Sequence, residues 1–295
     1  MTHGGEPAVA ARGSRTDAAA RLRIAPDLTR RILVRFLRDG LHRHGFMHGV
    51  LGLSGGLDSS LVAYLTAEAL GPEHVTGVAL PYAASDPTSL RDAAAVAKAT
   101  GIRLETVPIT DMAAACLSAV PPEARVRRGN ILARLRMLTL FDLSARDQAL
   151  VIGTSNKTEL LLGYSTTHGD SACALMPIGD LYKTQVWQLA RHVGVPDDIR
   201  SRAPSADLWP GQTDEEEMGF TYAAVDRLLV RMVDDRLHPD QLLAEGFDPA
   251  LIRTVRDRIR RSHYKRRLPP VAKVSTRTVG IDFRYPRDWD AWGRD

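Results

Sequence analysis

Short apolar runs alternate with longer amphipathic stretches along the first half of the chain. The runs, at residues 50–53, 74–81, 102–109 and 149–154, have the length of buried strands. In the stretches between them, apolar residues recur every three or four positions, which predicts helices. Strands separated by helices form parallel sheets with right-handed crossovers. The pattern therefore predicts an α/β fold, a three-layer parallel sheet flanked by helices.

The predicted helices complete this layout. One begins at Asp27 and ends near residues 40–45, and one follows the first strand directly. Two more cover residues 87–101 and 123–146. From Leu181 onward the pattern is helical, with a polar and acidic interruption at residues 205–217.

The domain organisation follows from composition along the chain. Residues 1–25 are rich in Ala, Gly, Arg and Thr with little apolar periodicity, so we expect a loose N-terminal tail. No repeat or low-complexity linker interrupts the rest. Residues 26–295 are therefore predicted to form a single domain with a helical C-terminal part.

The junction between the first strand and its helix is rich in glycine and serine. Its sequence, LGLSGGLDSS, spans residues 51–60. The first N–H groups of a helix lack intrahelical partners and attract anions, and Gly55 and Gly56 would let a phosphate approach them closely. The lysine of a Walker loop is absent, and Asp58 stands there instead. An acid beside phosphate suggests Mg²⁺ between them. The plainer alternative is a helix that begins after a glycine turn.

A second polar junction follows the fourth strand. Thr154 stands where the strand ends, and Glu159 lies about one turn into the next helix. A lone glutamate there is usually a surface acid that matches the helix dipole. Opposite Asp58 across a phosphate site, Glu159 would be the second carboxylate for Mg²⁺.

Composition excludes several classes of protein. The chain has 295 residues, of which 44% are hydrophobic and 25% charged, as in an ordinary soluble domain. No apolar run approaches the roughly 18 residues that a membrane helix needs, so we expect a cytoplasmic protein with no membrane partner. The two cysteines, Cys116 and Cys173, lie too far apart in sequence for a CxxC pair, which argues against a zinc site or a disulfide framework.

The charge is uneven. The formal net charge is +4, and eight Lys or Arg residues lie between Arg253 and Arg267. Nucleic-acid binding is one interpretation. An anionic dinucleotide, or a solvated helix face with a basic C-terminal end, explains the same residues, and we expect no nucleic-acid partner.

Several motifs resemble a known family. SGGLDS resembles the pyrophosphate-binding loop of the N-type ATP pyrophosphatases. RGNILARLRM, GTSNKTE, LYKTQVW, APSADLWPGQTDEEEMG and YKRRLPP resemble NAD synthetases in their order and spacing, from about residue 28 to 285. The resemblance implies an adenine nucleotide α-hydrolase-like fold. It also implies amidation of deamido-NAD to NAD through an acyl-adenylate, with release of AMP and pyrophosphate.

The resemblance implies roles for individual residues. Asp58 and Glu159 would hold Mg²⁺, and Lys183 would act with them in catalysis. The substrate deamido-NAD would meet Arg134, Thr167, Tyr264 and Lys265. The co-substrate ATP would contact the residues Gly52, Leu53, Ser54, Gly55, Gly56, Leu57, Asp58, Ser59, Thr154, Lys183 and Ser205.

The resemblance also implies partners. The nitrogen donor would be ammonia, either free or from a separate glutaminase subunit, because 295 residues leave no room for a fused glutaminase. Members of the family are typically homodimers, with the helix that carries Arg134 near the subunit contact. A loop should also shield the adenylate from water, and residues 203–219 are the candidate.

Two departures leave other substrates open. Many stand-alone members have Lys and Asp where this chain has Thr167 and Ala174, and a frequent lysine is Leu132 here. An amide ligase for another carboxylate is therefore an alternative. A tRNA-modifying member, suggested by the basic run, is a second alternative.

Overall fold

A parallel sheet of four strands forms the centre of the fold. The computed structural model describes residues 18–209, 211–279 and 281. Its strands are β1 (His48–Gly52), β2 (Val75–Ala79), β3 (Arg103–Thr106) and β4 (Ala149–Val151), and their order in the sheet is β3-β2-β1-β4. Every neighbouring pair is parallel, and Val50 of β1 lies between Thr76 and Val151. The predicted parallel sheet is confirmed.

The two outer strands, like the inner strand β2, are shorter than their apolar runs. The strand predicted over residues 102–109 ends at Thr106, and the one predicted over 149–154 ends at Val151. An outer strand has a partner on one side only, and the chain beyond Thr106 leaves the ladder with single hydrogen bonds from Val107 N to Ala79 O and from Ile109 N to Pro81 O, both 2.9 Å. Apolar residues continue there because they enter the core, since Ile109 is fully buried.

Helices cover both faces of the sheet. On one face, a core that includes Leu37, Leu61, Val96 and Leu189 joins four helices to the sheet. On the other face, Leu132 and Leu143 pack with the strands and with a shorter helix. The three-layer arrangement is therefore confirmed. The helices of these layers are α2 (Pro26–His42), α3 (Leu57–Leu70), α4 (Pro87–Thr100) and α8 (Lys183–Val193) on the first face, with α5 (Thr110–Leu117) and α6 (Arg125–Arg146) on the second.

The C-terminal part is helical, as predicted, and has its own core. Tyr222, Leu229, Leu242 and Val255 are fully buried or nearly so at its centre. Its elements are α7 (Lys157–Leu162), α9 (Asp197–Arg200), α10 (Asp214–Met218), α11 (Tyr222–Leu229), a π-helical turn (Val230–Asp234), α12 (Pro239–Ala244), α13 (Pro249–Arg261) and a 3₁₀ turn (His263–Arg266). None of the helices within the described ranges could span a membrane.

The prediction of a loose tail over residues 1–25 is wrong for its last part. Helix α1 (Ala18–Arg21) and Leu22 pack into the C-terminal core, where both Ala18 and Leu22 are buried. Gln188 of α8 holds this segment by donating to Leu22 O at 2.8 Å and accepting from Ile24 N at 3.2 Å. Two apolar side chains without periodicity gave no signal in the sequence. Residues 1–17 lie outside the described residues.

Helix α5 was not predicted. It is only eight residues long, and its sequence TDMAAACL contains three consecutive alanines, which show no apolar periodicity. Burial of Ala113 and Leu117 against α6 holds it in place.

An ion-pair cluster joins the edge strand β3 to the end of α6. Arg146 donates to both carboxylate oxygens of Glu105, at 3.0 and 2.8 Å, and Arg103 donates to the same carboxylate at 2.7 Å. The hydrogen bonds from Arg146 and then from Arg103 lower the pKa of Glu105 to about 2. The folded state therefore binds a proton at Glu105 less readily than the unfolded state does. The cluster thus stabilises the fold at pH values above the ordinary glutamate pKa.

We expect Glu105→Gln to lower the free energy of unfolding by about 1 kcal/mol at pH 7, because the cluster is partly exposed and screened by solvent. The difference from the parent chain should shrink as pH falls from about 4.5 towards about 2, where Glu105 takes up a proton in both states. Urea unfolding at several pH values measures it, with Glu123→Gln at an exposed glutamate as the control. An equal loss at pH 7 and at pH 2.5 would contradict the ion-pair explanation.

Candidate active site

The carboxyl ends of β1, β2 and β4 meet at one edge of the sheet, where parallel sheets usually bind ligands. Residues 52–59, here called the glycine turn, leave β1 at this edge and lead into α3. Residues 152–156 leave β4 beside them and lead into α7. The two polar junctions predicted from the sequence therefore lie side by side, and the space between them is here called the crevice.

The glycine turn presents unpaired backbone donors. Helix α3 begins after Gly56, and no side chain among the described residues caps its first turn. The serines instead brace the turn: Ser54 Oγ lies 3.0 Å from Ser59 Oγ and accepts from Gly56 N at 3.2 Å, while Ser60 Oγ donates to Gly56 O at 2.7 Å. A rigid turn with free N–H groups at a helix start suits an anion such as phosphate.

Gly55 is required in this turn for two reasons. Its φ is +78°, a conformation that side chains disfavour. A β-carbon at this position would also lie 2.3 Å from the carbonyl oxygen of Ser89 in α4. The glycine turn is therefore packed directly against the first turns of α4.

Two acids and a lysine meet beside the glycine turn. Asp58 Oδ2 forms a close ion pair with Lys183 Nζ, and the same ammonium lies 3.5 Å from Glu159 Oε1. The side chains of Asp58 and Glu159 are 18% and 16% exposed, and that of Lys183 is 3% exposed. The three residues come from α3, α7 and α8, so the structure brings together the catalytic residues that the motifs implied.

Asn156 orients both acids, and sequence reasoning did not single it out. As the N-cap of α7 it accepts from Glu159 N at 3.0 Å, while its own N–H donates to Glu159 Oε2 at 3.2 Å. Its side-chain amide donates to Asp58 Oδ1 at 3.1 Å. The spacing N-x-x-E, a capping box, was the available signal in the sequence.

Charge and burial shift the protonation of this cluster. Burial, followed by the neighbouring charge of Asp58, raises the pKa of Glu159 well above the usual glutamate value. Burial alone would lower the pKa of Lys183, but the charges of Asp58 and Glu159 and the hydrogen bond with Asp58 raise it above the ordinary lysine value. Lys183 therefore favours its protonated form between the two acids.

Thr154 and Ser205 are the residues outside the glycine turn and the acid–lysine cluster that the resemblance implies for ATP. Thr154 is half-buried between β4 and α7. Ser205 is exposed and accepts a hydrogen bond from Asp207 N at 3.1 Å.

The 203–219 segment packs next to the crevice. The carboxylate of Asp207 accepts from Asp86 N at 3.2 Å and from Ser89 Oγ at 3.4 Å, at the start of α4. Leu208 packs on Gly129 of α6, where a β-carbon would lie 2.9 Å from Leu208 Cδ1. The segment thus connects α4 and α6.

Three of the four residues implied to bind the dinucleotide meet at one loop. Arg134 Nε donates to Thr167 O at 3.3 Å, and Lys265 Nζ donates to Gly163 O and Ser165 O at 2.8 and 2.6 Å. Among the described residues, no hydrogen-bond partner faces the buried hydroxyl of Thr167. Tyr264 does not join them; it is 67% exposed.

Several basic side chains of residues 253–267 donate hydrogen bonds to backbone carbonyls of the same chain. Arg266 donates to the carbonyls of Leu160 and Leu161 at 2.9 and 3.0 Å, at the end of α7, and to Ile259 O at 2.7 Å, near the end of α13. Cations are favourable at helix C-termini. Arg258 also reaches a backbone carbonyl, that of Met218, at 3.4 Å.

Comparisons with known proteins agree on one family. The family model described as NAD synthase matches residues 29–269. An NH₃-dependent NAD(+) synthetase of Trichlorobacter lovleyi is 55% identical over 270 residues, which are 92% of this chain and 99% of the relative.

Two solved structures are similar over most of their length. The NMN synthetase of Francisella tularensis has a TM-score of 0.75 at 32% identity, covering 85% of this chain and 99% of that one. The NH₃-dependent NAD synthetase of Campylobacter jejuni, in complex with the nitrate ion, has a TM-score of 0.72 at 31% identity, covering 85% and 100%.

Proposed function

The chain belongs to the NAD synthase family, and on that premise we propose that it converts deamido-NAD to NAD with ATP and ammonia. The observation that carries the proposal is the meeting of Asp58, Glu159 and Lys183 beside the glycine turn. Two acids and a buried cation next to free backbone N–H groups can stabilise a triphosphate and its leaving pyrophosphate. The enzyme is thus a ligase that forms a C–N bond.

The reaction has two steps. The substrate carboxylate attacks the α-phosphorus of ATP, and the bond to the β-phosphate oxygen breaks with release of pyrophosphate. Ammonia then attacks the acyl carbon of the adenylate, AMP leaves with the electron pair of the acyl C–O bond, and the nitrogen loses a proton. The chain's own residues position the reactants and stabilise charge, so no side-chain nucleophile is required.

We assign the binding of the ATP phosphates to the glycine turn. The N–H groups of Gly55, Leu57 and Asp58 and the hydroxyls of Ser54 and Ser59 would receive the phosphates, with Thr154 and Ser205 at the sides of the crevice. Lys183 would keep its proton throughout, because its pKa is raised, and would neutralise charge on the pyrophosphate. The rigid bracing of the turn means that little reorganisation is needed at the moment of reaction.

A magnesium ion fits this donor set. Mg²⁺ takes oxygen ligands and usually combines one or two protein carboxylates with phosphate oxygens. Asp58 and Glu159 offer two partly exposed carboxylates on the same side of the glycine turn. Within the described ranges, no three His, Cys, Asp or Glu side chains cluster to hold an ion by themselves. Asp58 and Glu159 would hold the ion together with the nucleotide, and it would supply charge neutralisation for the departing pyrophosphate.

We place deamido-NAD against the loop at residues 163–170. Arg134 and Lys265 already hold the backbone of this loop from two sides, and the buried Thr167 hydroxyl offers an unused hydrogen-bonding group. Burial of an unpaired hydroxyl is unfavourable unless a ligand or water completes it. Tyr264, on the exposed 3₁₀ turn before Lys265, would reach the substrate only from the open side.

We propose a homodimer that uses α6. Val126, Leu138 and Phe141 are 67%, 56% and 42% exposed along this helix, although the opposite side of the same helix is buried in the core. Exposed apolar side chains along one helix mark an interaction surface. Sedimentation equilibrium tests this proposal: Leu138→Lys should shift a dimer of the parent chain towards monomer, whereas a monomeric parent chain would contradict it.

A smaller acyl substrate is the second candidate. One similar structure is an NMN synthetase, and the family resemblance implies Lys and Asp at the positions of Thr167 and Ala174 in many stand-alone members. An enzyme of this kind would amidate the mononucleotide of nicotinic acid through the same adenylate chemistry. This candidate is one specific form of the alternative given above, an amide ligase that acts on a carboxylate other than deamido-NAD.

A direct assay separates the candidates. The purified chain is supplied with ATP, Mg²⁺ and ammonium, and with deamido-NAD or nicotinic acid mononucleotide, while pyrophosphate and the amide product are both measured. We expect kcat/KM for deamido-NAD to exceed that for the mononucleotide at least about tenfold. The reverse preference would support the second candidate. Amidation of neither substrate would overturn the proposed function. Glutamine in place of ammonium, with no added subunit, should give no product.

A further inference from the structure

A buried acid outside the proposed site joins the two helices that carry Glu159 and Lys183. Asp226 lies on α11 in the C-terminal core, and both its side chain and that of Thr158 are fully buried. One carboxylate oxygen accepts from Thr158 Oγ1 at 2.6 Å, in α7. The other accepts from Thr184 N at 2.8 Å, in α8. Each contact falls on the immediate neighbour of a residue of the site.

The directions of these hydrogen bonds require an acceptor at position 226. Lys183 N donates to Thr158 Oγ1 at 3.0 Å, so the Thr158 hydroxyl accepts there and spends its single proton on Asp226. The backbone N–H of Thr184 can only donate. A carboxylate satisfies both donors at once, and the N-termini of two helices favour its negative charge.

We propose that Asp226 is a positioning residue for the reaction: it sets α7 and α8 in the relative placement that brings Glu159 and Lys183 together at Asp58. The inference rests on the proposed function. Lys183 is almost wholly enclosed, so the placement of its ammonium follows from the backbone at the start of α8. A displacement of about 1 Å in an enzyme site can cost about 100-fold in rate.

The substitution Asp226→Asn tests the acceptor requirement with little change in size. An amide offers one carbonyl oxygen and one NH₂ group, so its NH₂ must face either Thr184 N–H or the Thr158 hydroxyl. If the carbonyl oxygen accepts from Thr184 N–H, the NH₂ can donate to Thr158 Oγ1, but the buried Thr158 proton then has no acceptor at position 226. In either orientation the negative charge beside the two helix N-termini is lost. We expect kcat to fall about 10- to 100-fold while KM for deamido-NAD stays within about twofold, because Asp226 is fully buried and lies outside the proposed site.

A second substitution probes the same link from the other side. Thr158→Val keeps the shape of the side chain and removes the hydroxyl, which leaves both Lys183 N and Asp226 without that partner. We expect a similar fall in kcat. If the two residues act through one network, the double variant should be little slower than the slower single variant. Thr158→Val also provides the test if Asp226→Asn does not fold.

Arg231 serves as a matched control for a purely structural effect. It is also buried in the C-terminal core and pairs with Glu245 and Asp235, but these contacts lie within the C-terminal helices. Both Arg231→Met and Asp226→Asn should lower the unfolding temperature, because each removes a buried charged group that is paired in the fold. Only Arg231→Met should leave kcat within about twofold of the parent chain.

Three results would overturn the inference: an unchanged kcat in Asp226→Asn or in Thr158→Val, an equal fall in kcat in Arg231→Met at matched loss of stability, or fully additive effects in the double variant. Failure of the proposed function is distinct, because the parent chain itself would then not amidate deamido-NAD in the same assay.

Discussion

Asp58→Asn will lower kcat for NAD formation by about 1,000-fold, while the chain remains folded. The substitution keeps the size of the side chain and its contact with Asn156, but removes the charge that pairs with Lys183. It also removes one of the two carboxylates assigned to the metal. Losing a single preorganised electrostatic group costs about 100- to 1,000-fold in enzymes, and Asp58 contributes to two such interactions.

The measurement is steady-state pyrophosphate release at saturating ATP and deamido-NAD, with circular dichroism to verify folding. Glu68→Gln is the control, because Glu68 lies on the same helix but near its other end, where it pairs with Arg30. That variant should keep kcat within about twofold. Near-normal turnover by Asp58→Asn would remove Asp58 from the reaction, and with it the proposed metal site.

Gly55→Ala will abolish detectable ATP binding at millimolar nucleotide. The added β-carbon would lie 2.3 Å from Ser89 O, a backbone atom that can move only with α4, and the residue would have to keep φ near +78°. We expect the glycine turn to relax away from α4. The free N–H groups at the start of α3 would then no longer converge on the phosphates.

Gly194→Ala separates the effect of the positive φ from the effect of the contact with Ser89. Gly194, at the end of α8, has φ +86°, but a β-carbon added there would meet no atom of the described residues within 4 Å, so this position reports backbone strain alone. This control should lose about 1 kcal/mol of unfolding free energy and bind ATP normally. Isothermal titration calorimetry compares the two variants. Equal ATP affinity in both would show that contact with Ser89 does not shape the turn.

The cluster at Asp58 illustrates why burial matters for this chemistry. Lys183 is charged and 3% exposed, which would be unfavourable without its two carboxylate neighbours. A cation that is already desolvated and held by the fold needs no reorganisation when charge develops on a phosphate. Asn156 and Asp226 add to this, since one orients the acids and the other holds the helices.

Local features of the site could be predicted from the sequence because neighbouring residues encode them. Strand length, helical periodicity and the chemistry of Gly55 and Gly56 are properties of short windows, so the order of strands and helices and the glycine turn followed directly. The residue Asn156 was equally local, as part of a capping box, but its contact with Asp58 was not. Helix α5 and the fold of residues 18–25 were not predicted, because a short segment with few apolar residues shows no measurable period.

By itself the sequence determined the parallel α/β order, the glycine turn after the first strand, and the acids and lysine that a family resemblance made candidates for catalysis. Only the tertiary structure decided that Asp58, Glu159 and Lys183 share one cluster, that Arg134 and Lys265 hold the same loop, and that Asp226 joins α7 to α8. Asp58 and Lys183 are 125 residues apart. Contacts over such separations depend on how layers of helices pack on the sheet. They also depend on the need of buried polar groups for hydrogen-bond partners. A local sequence pattern contains neither.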